Sequence, residues 1–196
     1  MCHSLISDAS FWRQLQHLDE QIAQEAKLAG CPYCQGVLHR AHYPRKVFGV
    51  RRSLLGEGYD SRLSFCCSRE GCRRRTTPAS VRFLGRRCFP GALVLLACAL
   101  TQNLSRRRRA RLGATLGVSE RTLQRWRHWW RSTLPDTPWW REARARFVPP
   151  PQSPLLPSSL LARFSGRGHA EVLIGALQFL TPCSLSTFAA LPEQAA

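Results

Sequence analysis

Four cysteines in the first half of the chain have the residue type and the spacing of metal ligands. Cys31 and Cys34 form a Cys-Pro-Tyr-Cys motif, and Cys67 and Cys72 enclose the four residues Ser-Arg-Glu-Gly. A tetrahedral zinc ion needs four soft or borderline ligands, and two such turns supply them without a large scaffold. We therefore predict a bound Zn²⁺ held by Cys31, Cys34, Cys67 and Cys72.

The choice of the third ligand has an alternative, because Cys66 directly precedes Cys67. We favour Cys67, since it makes the tighter loop to Cys72 and resembles a zinc knuckle. His39 and His42 are further candidates, but each lies in an Arg-rich stretch and is expected to face solvent or phosphate. Four protein thiolates leave the metal no open position for an activated water, so we predict a structural zinc.

A helix-turn-helix pattern follows in the second half of the chain. Two helices are predicted at about 105–116 and 119–131. They are joined by Gly117, which allows a tight turn, by Val118, which enters the core, and by Ser119, which caps the second helix. In such a unit the second helix enters the major groove, where Arg pairs with guanine and Gln with adenine. The residues predicted to contact DNA there are Ser119, Arg121, Thr122, Gln124, Arg125 and His128.

The same pattern predicts which side chains of this unit are packed. Gly113 is small at the point where the two helices must approach closely, and the apolar residues fall on one side of each helix. The side chains expected to face inward are Leu112, Leu116, Leu123, Trp126 and Trp130. The tryptophans of this region are therefore expected mainly in the core, with stacking on an unpaired base as the alternative for one of them.

Arginine runs accompany both motifs. Five arginines at the start of the first helix repel one another unless phosphate neutralises them, and three more follow the second cysteine pair. We predict that these side chains contact the DNA backbone, the plain alternative being a solvated face with no ligand. The residues are Arg106, Arg107, Arg108, Arg109 and Arg111 on the helix, and Arg73, Arg74 and Arg75 after the cysteines.

The positive charge is concentrated in the middle of the chain. The formal net charge is +17, and residues 31–147 contain 25 of the 29 Lys and Arg residues but only six of the 12 Asp and Glu residues. Nearly all of these cations are Arg, whose planar guanidinium matches phosphate oxygens and guanine edges. A polyanion is the expected partner. Neither a basic amphipathic helix nor a lipid-anchor motif favours a membrane.

The sequence also predicts a compartment. The N-terminal residues lack a basic segment followed by an apolar run, so no secretory signal is expected. The longest apolar stretch, residues 92–100, is about half of the ~20 residues that span a bilayer. We expect a cytoplasmic, nucleoid-associated protein, where thiols stay reduced and patterned cysteines bind metal instead of forming disulfides.

The expected fold class is α+β, with a small zinc ribbon of short strands followed by a helical helix-turn-helix domain. Residues 1–28 are predicted as an amphipathic helix that could mediate a homodimer, residues 29–85 as the zinc ribbon and residues 86–147 as the helix-turn-helix domain. Residues 148–158 are predicted as a Pro-rich linker, and residues 159–196 as a tail with one short helix.

Individual elements are predicted inside these segments. Aromatic and β-branched residues between turn signals indicate strands at residues 37–38, 47–50 and 63–65. Pro90 begins an apolar and therefore buried helix, and Thr137 with Pro138 begins another at residues 137–147. The helix of the tail is expected at about residues 169–180.

The order of the motifs resembles one known arrangement. Residues 29–131 resemble the amino-terminal zinc-ribbon and helix-turn-helix modules of bacterial insertion-sequence transposases, through the segments CPYC, GCRRRTTPASVRF and LGVSERTLQRW. The resemblance implies modules that recognise the terminal inverted repeats of a mobile element. In these transposases a ribonuclease-H-like domain with three carboxylates then cuts the DNA.

That catalytic domain has no counterpart in this sequence. Only Asp136, Glu142, Glu171 and Glu193 follow the helix-turn-helix pattern, in a segment too short for the nuclease fold. We therefore expect no enzyme but a sequence-specific duplex-DNA-binding protein, either a transposition accessory with a transposase as partner or a mobile-element-associated regulator. The alternatives are a truncated or split transposase working with a separate nuclease chain, an RNA-binding zinc protein, and an interaction scaffold.

Overall fold

The computed structural model describes residues 2–85, 88–102 and 104–185, which contain helices and two small antiparallel sheets. This mixture is compatible with the predicted α+β class. The helices are α1 (Cys2–Ile6), α2 (Ala9–Ala29), α3 (Gly91–Leu100), α4 (Arg106–Thr115), α5 (Glu120–His128), α6 (Leu134–Asp136), α7 (Pro138–Ala143), α8 (Ser158–Leu161) and α9 (His169–Phe179). The strands are β1 (Leu38–Arg40), β2 (Tyr43–Pro44), β3 (Ser61–Arg62), β4 (Phe65–Cys67) and β5 (Arg75–Thr76).

The amphipathic helix predicted near the N-terminus is present as α2. Asp8 caps its start, because the carboxylate accepts a hydrogen bond from the Ser10 N–H at 2.8 Å. Gly30 ends it with φ +78°, which glycine adopts without a side-chain penalty. The apolar face of α2 is buried within the chain, so it gives the predicted homodimer no support. The buried apolar residues on that face are Phe11, Trp12, Leu15 and Ala23.

Two small sheets carry the cysteine segment. β4 lies between β1 and β5 in a three-stranded sheet, and β2 pairs with β3 in a second sheet of two strands. Leu38 stands opposite Cys67, and Phe65 stands opposite Thr76. The strands predicted at residues 37–38 and 63–65 therefore overlap β1 and β4, although both strands end two residues later than expected.

The strand predicted at residues 47–50 is wrong. Val47 and Val50 do pack against the core, but Gly49 between them has φ +80°, which an extended strand does not contain. The packing is equally restrictive, because a Cβ on Gly49 would lie 2.3 Å from Cδ2 of Leu93. The apolar residues here belong to a packed loop and not to a strand.

The helices of the second half begin where the sequence predicts. α3 is buried on almost every side, α4 and α5 lie within the two predicted helices, and the Thr137 hydroxyl caps α7 by accepting from the Trp140 N–H. The helical path after α5 continues through a wider turn at Trp129–Thr133 into α6, beyond the predicted end. In the described part of the chain, no helix combines the length and apolarity that a bilayer crossing requires.

The structure corrects the prediction that residues 148–158 form an extended linker. Leu156 is only 2% exposed and belongs to the main hydrophobic cluster, and the turn at Ser153–Leu155 packs against Trp129–Thr133. The prolines shape this segment, but the buried side chain of Leu156 holds its second half on the core. The tail also packs against the rest of the chain. Its predicted helix is present as α9, which contacts α1 and α3.

A buried carboxylate joins helix α2 to the loop that precedes α3. Asp19 on α2 is 2% exposed, and its oxygens accept hydrogen bonds from the Ser80 hydroxyl, from the Val81 N–H at 2.6 Å and from Nε of Arg82 at 2.7 Å. The Asp19 and Arg82 side chains form an ion pair with almost no solvent contact. Each charge is therefore compensated by the other, and the carboxylate also accepts from two neutral donors.

The same group of residues extends to three other segments. The Arg82 guanidinium donates to the carbonyl oxygens of Tyr59 at 2.6 Å and Ser61 at 3.0 Å, next to β3. The Ser80 N–H donates to the hydroxyl of Ser184 at 2.8 Å. Helix α2, the strand region, the loop before α3 and the end of the described chain thus meet at one buried polar cluster.

We expect Asp19→Ala to lower the free energy of unfolding by about 3–5 kcal/mol, because it leaves the buried Arg82 charge uncompensated. Glu25→Ala removes an exposed carboxylate from the same helix and should change stability by less than about 0.5 kcal/mol. Chemical denaturation of the two variants and the unmodified protein measures both effects. Equal stability of the two variants would show that the buried pair does not hold the segments together.

Candidate metal centre and nucleic-acid interface

The four cysteines predicted as ligands lie together. Their sulfur atoms are all within 4.8 Å of one another, with 3.8 Å between Sγ of Cys31 and Cys72 and 3.4 Å between Sγ of Cys34 and Cys67. A tetrahedral ion with Zn–S distances of about 2.3 Å separates its sulfur ligands by roughly 3.8 Å. The donor set and its dimensions therefore fit a metal ion bound by four thiolates.

Two turns bring these thiols together. Where α2 stops at Gly30, the chain turns so that the Gln35 N–H donates to the Cys31 carbonyl at 2.8 Å. After β4 a second turn returns Cys72 to the sheet, and its N–H donates to the carbonyl of Arg69 at 3.1 Å. The Arg69 N–H points at Sγ of Cys67 at 3.4 Å, a contact that stabilises a thiolate.

The structure places two of the alternative ligands, Cys66 and His42, outside the cysteine cluster. Cys66 has its sulfur directed at the carbonyl of Arg73 at 3.3 Å, and it is outside the cluster that contains Cys67. His42 lies with Nδ1 against the backbone of Ser64, at 3.0 Å from its N–H. Neither side chain is placed to bind an ion in the cluster, which is consistent with the preference for Cys67.

The surroundings act in opposite directions on two of these thiols, because they lower the pKa of Cys31 and raise that of Cys72. Cys31 is fully buried, and burial raises the pKa of its thiol, but hydrogen bonds from the backbone of Tyr33 and Cys34 and from the neighbouring thiols outweigh this, and the pKa falls to about 7. The apolar cluster around the site is small. Its buried members are Ala23, Cys31, Leu38, Phe65 and Cys67. So little buried apolar surface needs a further cross-link, which a bound metal would provide.

Gly36 is a residue of this site that the cysteine spacing did not reveal. A Cβ at this position would lie 3.0 Å from Sγ of Cys67 and 3.3 Å from Sγ of Cys34, so a larger residue would press on both sulfur atoms. The signal available in the sequence was a glycine two residues after the Cys-Pro-Tyr-Cys motif.

Helices α4 and α5 have the local geometry predicted for them. Gly117 turns with φ +63°, Val118 is 4% exposed, and the Ser119 hydroxyl accepts from the Thr122 N–H. A Cβ on Gly113 would lie 2.7 Å from the carbonyl oxygen of Val118, so the turn after α4 lies directly against that helix. Of the side chains predicted to face inward, Leu112 is partly buried, and those that are fully buried are Leu116, Leu123, Trp126 and Trp130.

The opposite face of α5 is open to solvent. Its exposed residues include most of those predicted to contact DNA: Ser119, Arg121, Gln124, Arg125 and His128, with Thr122 half-buried. Arg125 donates to the Thr122 hydroxyl at 3.3 Å, and Gln124 lies 3.5 Å from a carboxylate oxygen of Glu120. These contacts are local and exposed, so the side chains can exchange them for a ligand.

The arginines at the start of α4 divide into two groups. Arg106 lies 3.6 Å from the Glu120 carboxylate, which links the two helices, and Arg109 donates to the carbonyl of Leu104 at 2.6 Å. The remaining three are exposed and have no ion pair within the described residues. They are Arg107, Arg108 and Arg111. These three keep their full charge for a polyanion, whereas the first two also serve the fold.

The arginines after the second cysteine pair also differ from one another. Arg74 lies over the ring of Tyr33, 4.5 Å from its centroid, and both side chains are exposed. Arg75 donates to the carbonyl of Ala41 at 2.9 Å and therefore supports the sheet. Arg73 is exposed beside the last cysteine with φ +44°. Together they give the cysteine region a basic surface of its own.

We expect Cys67→Ser to abolish stoichiometric metal binding, because it removes a ligand from the centre of the sheet. Cys66→Ser is the matched control, since it changes the adjacent cysteine outside the cluster and should retain one metal ion per chain. Elemental analysis of the purified variants gives the metal-to-protein ratio. Loss of metal from both variants, or from neither, would refute the assignment of ligands.

A second prediction concerns the contact between α4 and α5. Gly113→Ala should destabilise the protein by roughly 1–3 kcal/mol, because the new methyl group must push the Val118 backbone away. Ala114→Ser adds one atom at the exposed neighbouring position and should change stability by less than about 0.5 kcal/mol. Thermal unfolding compares the two. If Gly113→Ala were as stable as Ala114→Ser, the close approach of the turn to α4 would be contradicted.

The chain was also compared with known proteins. No protein-family model, no curated protein and no solved structure matches it. The functional argument that follows therefore uses the residues and geometry of this chain, together with the resemblance of its motif order.

Proposed function

We propose that this chain is a sequence-specific duplex-DNA-binding protein, in which α4 and α5 form a helix-turn-helix unit and the four cysteines hold a structural zinc ion. One observation carries the proposal. Helix α5 buries Leu123 and Trp126 while the side chains on its other face, including Arg121, Gln124 and Arg125, are exposed beside a tight, capped turn. A helix presented in this way has its polar face available to the major groove.

The chemistry of that face suits base recognition. A guanidinium donates two hydrogen bonds to O6 and N7 of guanine, and a glutamine amide both donates to and accepts from adenine. Arg121 and Arg125 are the candidates for the first contact and Gln124 for the second. Ser119, Thr122 and His128 flank them and are assigned to phosphate or further base contacts.

The exposed arginines of α4 supply affinity that does not depend on sequence. In the proposed complex Arg107, Arg108 and Arg111 lie against the phosphate backbone beside the groove that α5 occupies. Each phosphate that they neutralise releases counterions. The logarithm of the affinity therefore falls with the logarithm of the salt concentration, with a slope of about 0.9 per phosphate contact. Arg73 and Arg74 extend the basic surface on the cysteine region.

The zinc ion has a structural role in this proposal. Its four ligands are protein thiolates, so it keeps no coordination position for a reacting water. Its binding free energy is on the order of 10–16 kcal/mol in small zinc modules, and it contributes directly to folding of the cysteine segment and its small sheet. Metal removal by a chelator is therefore expected to unfold the small sheet.

We further propose that the chain acts without catalysis, as a transposition accessory or as a regulator associated with a mobile element. The support is the resemblance of its motif order to the DNA-recognition modules of insertion-sequence transposases. Of the carboxylates that follow α5, Asp136, Glu142 and Glu171 do not assemble into a three-carboxylate group within the described residues, and Glu193 lies outside them. A transposase supplied by another chain is the natural protein partner.

The experiment that tests this function is selection of bound duplexes from a random pool by the zinc-loaded protein. The proposal predicts enrichment of a defined sequence, and competition by unrelated duplex only at much higher concentration. Structured RNA of the same length is the second competitor. If RNA displaced the selected duplex more effectively than unrelated DNA did, the alternative of an RNA-binding zinc protein would replace this one.

Substitution of one base-contacting residue gives a sharper prediction. Arg121→Ala should weaken binding to the selected duplex by roughly 1–3 kcal/mol and relax the preference at one base position, because the bidentate contact is lost. Arg108→Ala should weaken binding to all duplexes equally and reduce the salt slope by about 0.9. Titrations against the selected duplex and its single-base variants at several salt concentrations separate the two patterns.

A matched control excludes a general effect of charge. Arg167→Ala removes one exposed guanidinium from the loop before α9, outside the proposed interface, and should leave both specificity and salt slope unchanged. If Arg121→Ala weakened binding to all duplexes alike, as Arg108→Ala would, or changed nothing, as Arg167→Ala would, then Arg121 would not contact a base.

A further inference from the structure

A basic loop between β2 and β3 lies directly beside the turn that joins α4 to α5. The position of a Cβ on Gly117 is 4.0 Å from Cα of Gly49, and Gly49 in turn packs against the carbonyl of Leu116. Arg51, two residues further on, lines a shallow cavity together with Thr115 and Leu116. Gly49 and Arg51 are therefore next to the turn that precedes the helix we assign to the major groove.

This loop is held in place by packing on both sides. The Phe48 N–H donates to the Cys88 carbonyl at 2.8 Å, and the Phe48 ring lies 6.0 Å from that of Phe89. Phe89 lies 5.0 Å from Trp126, on the buried face of α5. A chain of aromatic contacts thus ties the loop to the helix, and Gly49 has no room to move towards Leu93.

The cationic residues of the loop differ in whether they have an acidic partner. Lys46 and Arg51 are exposed, and neither has an acidic partner within the described residues. Arg52, the next residue, is committed to Asp60 by a 2.8 Å ion pair. The sequence contains no Asp or Glu between Glu25 and Glu57, so the residues on either side of Lys46 and Arg51 carry no acidic group.

We infer that Arg51 binds a phosphate of the same duplex, on the strand that passes the turn before α5. The inference rests on the proposed function and extends it to a second contact region outside the helix pair. When the N-terminal end of a recognition helix enters the groove, the turn before it lies near the sugar–phosphate backbone. Cations fixed beside that turn reach phosphate oxygens and form charge-assisted hydrogen bonds, which set the orientation of the protein on DNA.

The adjacent arginines provide a matched test. Arg51→Ala should reduce the slope of log affinity against log salt by about 0.9, because one phosphate contact is lost. Its preference for the selected duplex over a scrambled duplex should stay unchanged, since phosphate contacts carry no base information. Arg52→Ala, which removes the same charge from a residue already paired with Asp60, should keep the slope of the unmodified protein. Metal content and melting temperature establish that both variants are folded.

Phosphate-ethylation interference locates the lost contact. In the unmodified protein, ethylation of phosphates flanking the groove of α5 should block binding, and in Arg51→Ala one of these positions should become tolerant. If Arg51→Ala keeps the slope and the interference pattern while Arg121→Ala loses specificity, the loop contact is refuted and the DNA-binding function stands. If the unmodified protein binds no duplex, both are refuted.

Discussion

The buried ion pair between Asp19 and Arg82 is the interaction on which the arrangement of the chain depends. Asp19 fixes helix α2 to the loop before α3, and Arg82 reaches the backbone next to β3. Because α2 ends at Gly30, directly before Cys31, this pair also sets where the first two thiols lie relative to the helical part. A buried charge tolerates few alternative geometries, since each displaced donor leaves an uncompensated group.

The remaining constraint is electrostatic. Most of the chain's cations lie between residues 31 and 147, and in the absence of a ligand their repulsion opposes folding. A large apolar core around α3 and the tryptophans supports the helical part, whereas the small sheet has little beyond its thiol cluster. In our account a metal ion stabilises the sheet and phosphate neutralises the surface, so folding and ligand binding favour the same state.

Local signals in the sequence predicted much of this structure. Gly117 and Ser119 bounded the turn before α5, and cysteine spacing identified the four clustered thiols, because each of these effects acts within a few residues. Long-range effects were missed. Nothing in the pattern of α2 marked Asp19 as buried, and residues 47–50 looked like a strand because periodicity does not reveal the left-handed Gly49. The prolines of residues 148–158 suggested an extended linker, but the tertiary packing of Leu156 outweighed that local preference.

We propose above all that duplex DNA binds across two surfaces, the open face of α5 and the arginines around it. Hydrogen–deuterium exchange of the zinc-loaded protein with and without a selected duplex tests that claim directly. We predict slower exchange in peptides that cover Ser119 to His128 and the start of α4, with little change in α9. Binding that leaves α5 unprotected, or no binding to any duplex at low salt, would contradict it.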